Sequence, residues 1–231
     1  MKWFNANKPY LLSASLICGN PLGLAKEIEE LEKAEIDSLH FDVMDSHFVP
    51  RIGLYPEMLK AIKSKTTIPI DVHLMISEPQ AYISNFAEAG ADLISVHVES
   101  GGDIKEMLGL IKNYNIKAGV VLKPDTSIDM LDSMLDQIDL VMLMAIYPGI
   151  LGQKVLPETF EKTEQLSKKL ENYPDIVIEI DGGVTPQTAP DMIKSGAHLL
   201  VCGAGTIYKP LEDTILNKVK ELRRTIDASL A

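Results

Sequence analysis

Between residues 38 and 50 the chain reads Ser38-Leu-His40-Phe-Asp42-Val-Met44-Asp45-Ser46-His47-Phe-Val-Pro50, so an imidazole and a carboxylate stand two residues apart in a run of strand character. Side chains alternate along a strand, which sends His40 and Asp42 out of the same face. His73 lies in a second apolar run, from Pro69 to Met75, and Asp181 follows a third, from Ile176 to Ile180. Two imidazoles and two carboxylates at strand ends can hold a divalent metal and still leave carboxylate oxygen for acid/base work. Facing each other across a small substrate, Asp42 and Asp181 would remove a proton and return one, while a metal on a carbonyl and its neighbouring hydroxyl would stabilise the enediolate between those steps. A plainer reading competes with this one. His40 and His73 would be buried histidines hydrogen-bonded to Asp42 and Asp71, and Asp42 and Asp181 would cap the loops that follow them. Asp45 and His47 have the spacing of such loop residues and are left out of the chemistry.

Three glycine-rich stretches follow later apolar runs: Tyr147-Pro-Gly149-Ile150-Leu151-Gly152-Gln153, Asp181-Gly182-Gly183-Val184 and Cys202-Gly203-Ala204-Gly205. Glycines let backbone N–H groups approach an anion closely, so these loops are candidates for holding a phosphate, although glycine turns also arise for geometric reasons alone. Met44, Met75 and Met144 each end an apolar run beside a polar candidate. They are read either as core filler or as an apolar cap that keeps water from an enediolate. His97 and Glu99 are read as a surface pair, with support of the metal ligands as the alternative. Lys123 is the one candidate for Schiff-base chemistry, but the Lys-Pro step after its apolar run suits a solvated side chain better.

The elements that must position these residues alternate in type. Short β-branched runs cover 10–16, 38–44, 70–75, 93–98, 118–122, 140–144, 177–180 and 199–202. Amphipathic segments cover 22–34, 57–64, 80–89, 104–113, 127–136, 157–170, 186–194 and 211–230, with Thr185 before Pro186 as a helix-start signal. Eight such units of roughly 29 residues predict an α/β fold, a single (β/α)8 TIM barrel over residues 1–231, in preference to a doubly wound open sheet. Ser15, His40, Asp42, His73, His97, Lys123, Met144 and Asp181 then all fall at or near strand ends on the face where such barrels carry their active sites.

Composition narrows the partners. A net charge of −11 argues against nucleic acid and anionic membrane surfaces. It is compatible with a phosphorylated small molecule, because backbone amides bind phosphate without local positive charge. Two cysteines, Cys18 and Cys202, indicate no disulfide framework, and no apolar stretch is long enough to span a bilayer. The first residues lack the apolar core of a signal peptide, so a cytoplasmic protein is expected.

At these residues the chain resembles the ribulose-phosphate 3-epimerase family, over about Leu11 to Tyr208. The resemblance rests on Ser13-Ala-Ser15-Leu16, His40-Phe-Asp42-Val-Met-Asp-Ser-His-Phe-Val-Pro50, Asp71-Val-His73-Leu-Met75, Tyr147-Pro-Gly149-Ile150-Leu151-Gly152-Gln153 and Ile180-Asp181-Gly182-Gly183-Val184. It implies four metal ligands at His40, Asp42, His73 and Asp181, and acid/base roles for Asp42 and Asp181. It further implies a substrate-contacting serine at Ser15 and an enediolate cap of Met44, Met75 and Met144. Substrate contacts are expected at His73, Asp181 and the three glycine loops. The implied cofactor is a divalent metal, commonly zinc, with iron, manganese or cobalt as substitutes. The implied reaction inverts C3 of a ketose phosphate through a 2,3-enediolate. A homo-oligomer is expected, since barrels of this kind associate through helical faces. The rim departs from the family pattern: Leu151 stands where a small residue is usual, Arg51 where asparagine is, Ser46 where glycine or asparagine is, and Ala204 where serine is. Residues 203–206 and the Ser15-Leu-Ile-Cys18 stretch are closer to an allulose-6-phosphate 3-epimerase branch, which keeps that substrate, and a non-catalytic sugar-phosphate binder, as alternatives.

Overall fold

The computed structural model of the protein describes residues 8–150, 152–208 and 213–231. Eight strands run β1 (Leu11–Ser15), β2 (Ser38–Met44), β3 (Ile70–Met75), β4 (Leu93–His97), β5 (Lys117–Leu122), β6 (Leu140–Met144), β7 (Val177–Asp181) and β8 (Leu199–Cys202). All pairs are parallel, and β1 closes on β8, so the sheet is a barrel with no free edge. Six of the eight strands are buried along their whole length, and β5 and β7 at all but one residue, as expected where one face lines the barrel and the other is covered by helices.

Seven α-helices cover the outside among the described residues: α1 (Leu24–Lys33), α2 (Pro56–Lys63), α3 (Ile83–Ala89), α4 (Ile104–Asn113), α5 (Glu158–Lys169), α6 (Ala189–Lys194) and α7 (Ile215–Leu230). Their buried residues recur at helical spacing, as Leu24, Ile28 and Leu31 in α1 and Ile215, Val219, Leu222 and Ile226 in α7 do. Side-chain caps start two of them. Asp103 accepts from the amides of Lys105 and Glu106, and Thr214 accepts from that of Asn217.

Three helical expectations need correction. The segment 127–136 forms no α-helix but two short 3₁₀ turns, Ile128–Leu131 and Leu135–Gln137. Its buried residues Leu131 and Met134 are three apart, and Ser127 and the aspartates compete for local backbone groups, which suits the tighter turn. Residues 80–89 likewise divide into a 3₁₀ turn, Pro79–Ala81, and the shorter α3. Thr185-Pro186 does not open α6. Thr185 and Thr188 instead exchange hydrogen bonds in a turn, and the helix starts at Ala189 with Pro190 in its first turn. The expected start of the last helix at Leu211 lies outside the described residues.

The floor of the barrel is built four times over on one pattern. Asp37, Asp92, Asp139 and His198 each immediately precede an even-numbered strand. Each accepts through its side chain from a backbone amide of the preceding odd strand: Leu12 at 2.9 Å, Ile70 at 2.8 Å, Ala118 at 3.0 Å and Ile178 at 2.9 Å. The same four residues donate their own amides back to the carbonyls of Leu12, Ile70, Ala118 and Ile178. Each aspartate also pairs with a basic side chain, Arg223 and Lys8 at Asp37, Lys63 at Asp92 and Lys117 at Asp139. This end of the molecule fastens the strands in register, and the opposite end is left to the candidate chemistry.

Candidate active site

Alternation along the strands decides which side chains line the barrel. In β2 these are Ser38, His40, Asp42 and Met44, while Leu39, Phe41 and Val43 pack outward under the helices. The register then sets His40 beside Asp71 and Asp42 beside His73 across β2 and β3, and Ser15 beside His40 across β1 and β2. Asp181 reaches the same cluster from β7, three steps round the closed sheet from β2 rather than on the diametrically opposite side.

At the mouth His40 Nε2 lies 3.3 Å from His73 Nδ1, 3.4 Å from Asp42 Oδ1 and 3.9 Å from Asp181 Oδ2. His73 Nδ1 is 3.7 Å from each of those carboxylate oxygens. A tetrahedral ion with ligands at ~2.0–2.1 Å keeps them about 3.3 Å apart, so this donor set fits a small divalent cation. The outer nitrogen of His40 is also occupied in the way metal-bound imidazoles are, with Nδ1 2.7 Å from Asp71 Oδ2. Both histidines are fully buried, and Asp181 is the more exposed of the two aspartates.

The two aspartates do not share an environment. Burial works against the Asp42 carboxylate, but the neighbouring His40 charge, with His73 beside it, outweighs it and holds the carboxyl far below the usual range. Asp42 turns its second oxygen, Oδ2, to the Ser15 hydroxyl, which donates to it at 2.8 Å. For Asp181, burial and the nearby Asp42 charge outweigh the pull of His40 and raise the carboxyl. His40 is pulled the other way from its burial by Asp42 and Asp71 and is held well above the ordinary imidazole range.

The methionines fall where expected. Met44 and Met75, opposite each other in register, pack with Val49 and against Ile17 and Phe48 over the cluster, and Met144 stands beside Asp181 at the end of β6. In the glycine loops Gly149, Gly152, Gly182 and Gly183 adopt positive φ, while Gly203 and Gly205 do not. A side chain at Gly182 would meet Ile146 at 2.4 Å, so glycine is required there on two counts. The strand-6 loop is held by Gln153, whose Nε2 donates to the carbonyls of Tyr147 at 2.7 Å and Ile150 at 2.9 Å. Leu151 lies outside the described residues. Gly203 faces Cys18, whose sulfur is 3.6 Å from the Ser15 hydroxyl, and Ala204 follows it at the exposed rim.

Asp45 is the loop residue it resembles, accepting from the amides of His47, Phe48 and Ser77. Lys123 lies over the Phe48 ring, 4.0 Å from its centroid, outside the histidine–aspartate cluster. The reading of His97 and Glu99 as a surface pair is wrong. His97 is fully buried and its Nε2 is 2.9 Å from Nε2 of His73. Burial lowers its pKa to about 4 against the hydrogen bond it donates to Glu99. Glu179 and Asp71, both fully buried beneath His40, played no part in the functional case. Each stands two residues before a candidate ligand, and that spacing was the available signal that it faces the same interior.

Fold and cluster together give a (β/α)8 barrel whose mouth carries a buried histidine–aspartate group able to hold a divalent metal. The model of the ribulose-phosphate 3 epimerase family matches residues 11–207, and the chain belongs to that family of isomerases. Among its relatives, ribulose-phosphate 3-epimerase of Bacillus subtilis (strain 168) is 42% identical over 195 residues, 84% of this chain and 90% of the relative. Ribulose-phosphate 3-epimerase of Aquifex aeolicus (strain VF5) is 39% identical over 213 residues, 92% of this chain and 96% of the relative. Among solved structures, KGPDC from Streptococcus mutans superposes with a TM-score of 0.69 at 16% identity, covering 96% of this chain and 99% of that one. That likeness establishes the fold alone.

Proposed function

We propose that the protein is a metal-dependent ketose-phosphate 3-epimerase of the D-ribulose 5-phosphate to D-xylulose 5-phosphate type, working by two-base proton transfer. The observation that carries this reading is the division of labour within Asp42 and Asp181. Each turns one oxygen to the two histidine nitrogens, Oδ1 of Asp42 and Oδ2 of Asp181, from different strands. Each keeps a second oxygen for a proton.

His40, Asp42, His73 and Asp181 would hold the ion. A divalent metal there, zinc being the first choice for two imidazoles and two carboxylates, would supply Lewis-acid stabilisation of negative charge on adjacent substrate oxygens. One aspartate takes the C3 proton, and the other returns a proton to the opposite face of the planar 2,3-enediolate, which inverts the carbon. Ser15 orients Asp42 through its hydrogen bond. Met44, Met75 and Met144 cover the enediolate and keep bulk water from protonating it. The amides of the Gly149–Gly152, Gly182–Gly183 and Gly203–Gly205 loops take the phosphate at the rim where such barrels bind it.

The test is solvent exchange. Zinc-loaded protein in D2O is given ribulose 5-phosphate and, separately, allulose 6-phosphate, and deuterium at C3 is followed by NMR. Incorporation with inversion of the pentulose phosphate supports the reading. Incorporation only into allulose 6-phosphate keeps the mechanism and moves the substrate to the hexulose branch, where Ala204 and the strand-6 loop shape the rim. No exchange with either sugar in protein carrying stoichiometric zinc would overturn the catalytic reading and leave a sugar-phosphate binder.

A further inference from the structure

Behind His73 a line of polar groups runs outward through the wall of the barrel. His73 Nε2 meets His97 Nε2 at 2.9 Å, and His97 Nδ1 meets Glu99 Oε2 at 3.0 Å. Glu99 Oε1 accepts from the backbone amide of Lys123 at 2.8 Å and from the Thr126 hydroxyl. The line joins the ends of β3 and β4 to the loop after β5. We propose that His97 and Glu99 are positioning residues that dictate which nitrogen of His73 carries its proton, and so keep Nδ1 bare for the metal. The proposal rests on the metal reading above.

The direction of the line follows from its outer end. An amide N–H and a hydroxyl both donate to Glu99 Oε1, so that end accepts, and the carboxylate has no proton to give at its other oxygen. His97 Nδ1 must therefore carry a hydrogen and donate it. A second hydrogen on His97 would place a cation in a fully buried site, against the Phe48 ring at 4.8 Å and with the Lys123 ammonium on that same ring. His97 Nε2 is thus an acceptor, His73 Nε2–H is its donor, and His73 Nδ1 faces Asp42 and Asp181 with a lone pair. His40 likewise donates its outer Nδ1–H, directly to Asp71. The near-stacked rings of His73 and His97, with centroids 5.0 Å apart, hold the alignment.

Glu99→Gln separates this role from packing. The Lys123 amide and Thr126 hydroxyl still need an acceptor, so the glutamine oxygen stays toward them and its NH2 turns to His97 Nδ1. His97 must then accept at Nδ1 and carry its hydrogen on Nε2, which drives the His73 proton to Nδ1, where it blocks the ligand position. His97→Gln, by contrast, preserves the order of the line, because its amide oxygen accepts from His73 and its NH2 donates to Glu99. His97→Leu breaks it.

Wild type and the three variants would be compared for Zn2+ affinity by chelator competition. The tautomer of His73 would be read by nitrogen NMR in metal-free protein. We expect E99Q to bind zinc about 10–100-fold more weakly with the His73 proton moved to Nδ1, H97L to weaken similarly, and H97Q to stay closer to wild type. Zinc affinity in E99Q equal to wild type, or His73 Nε2–H retained in that variant, would overturn the relay. If E99Q does not fold, H97Q binding no better than H97L does so instead. Wild-type protein that binds no zinc overturns the metal reading itself, whereas the tautomer measurement tests the relay with no metal present.

Discussion

Asp42 stands between two tasks: Oδ1 faces the imidazoles and Oδ2 receives the Ser15 hydroxyl. Replacing it by asparagine keeps the shape but leaves a weaker ligand and no base. Asp42→Asn and Asp181→Asn are each expected to lower C3 deuterium exchange by at least ~10²-fold, the usual contribution of one positioned acid or base. Exchange near the wild-type rate in either variant would sink the two-base mechanism. Ser15→Ala should cost much less, since Asp42 keeps its histidine contacts. Backbone strain at a residue outside the chemistry gives a second prediction at this scale. Ser46 sits at φ 64°, the left-handed region, where the family pattern has glycine or asparagine, and its amide is tied to the Arg51 carbonyl at 2.9 Å. Ser46→Asn or Ser46→Gly is expected to stabilise the protein by about 0.5–1 kcal/mol, seen as a higher urea midpoint at unchanged slope.

At the scale of elements, the two ends of the strands differ in what they tolerate. The floor aspartates accept from backbone amides of the neighbouring strand. Asp37 is the most buried of them, with the Leu12 amide at 2.9 Å and Arg223 at 2.8 Å. Asp37→Ala is expected to destabilise by about 1–3 kcal/mol, the cost of stranding a buried donor, with turnover per folded molecule unchanged. Asp37→Asn should lose less, because an amide oxygen still accepts from Leu12. Urea titrations beside exchange rates check both. A loss of kcat in step with stability would mean that floor and mouth are not independent.

For the whole molecule, the barrel interior is a low-dielectric space that gathers the polar groups His40, Asp71 and Glu179 beneath the mouth. Burial, with the Asp71 charge, raises the Glu179 carboxyl well above its ordinary range. The folded state therefore keeps a proton that the unfolded chain releases at the ordinary glutamate pKa, and stability falls as pH rises above it. Glu179→Gln removes that penalty. In chelator-treated protein its urea midpoint is expected to gain on wild type between pH 4 and pH 8, and a gap that does not widen with pH would show Glu179 to be ionised in the fold. Because His40, Asp42, His73 and Asp181 converge only when the barrel closes, the proposed metal binding would be coupled to folding. Free zinc at a hundred times its Kd should add about 2.7 kcal/mol, visible as a raised Tm that chelation reverses together with activity.

The sequence by itself determined the alternation of strands and helices, the placement of Ser15, His40, Asp42, His73 and Asp181 on strands, and, through its family pattern, the reaction class. These are local matters, since a period of two along a strand and a glycine where the chain must turn are written in neighbouring residues. Segment 127–136 misled because its spacing of apolar residues fits both a helix and the tighter turn, and only packing on the barrel chose between them. Only the tertiary structure decided that Asp181 meets Asp42 from three strands away, that His97 turns inward to His73, and that Glu179 comes to lie under His40. The physical reason is closure. Which inward side chains share a level depends on the stagger of eight strands around the ring, a property of the closed sheet that no single strand carries.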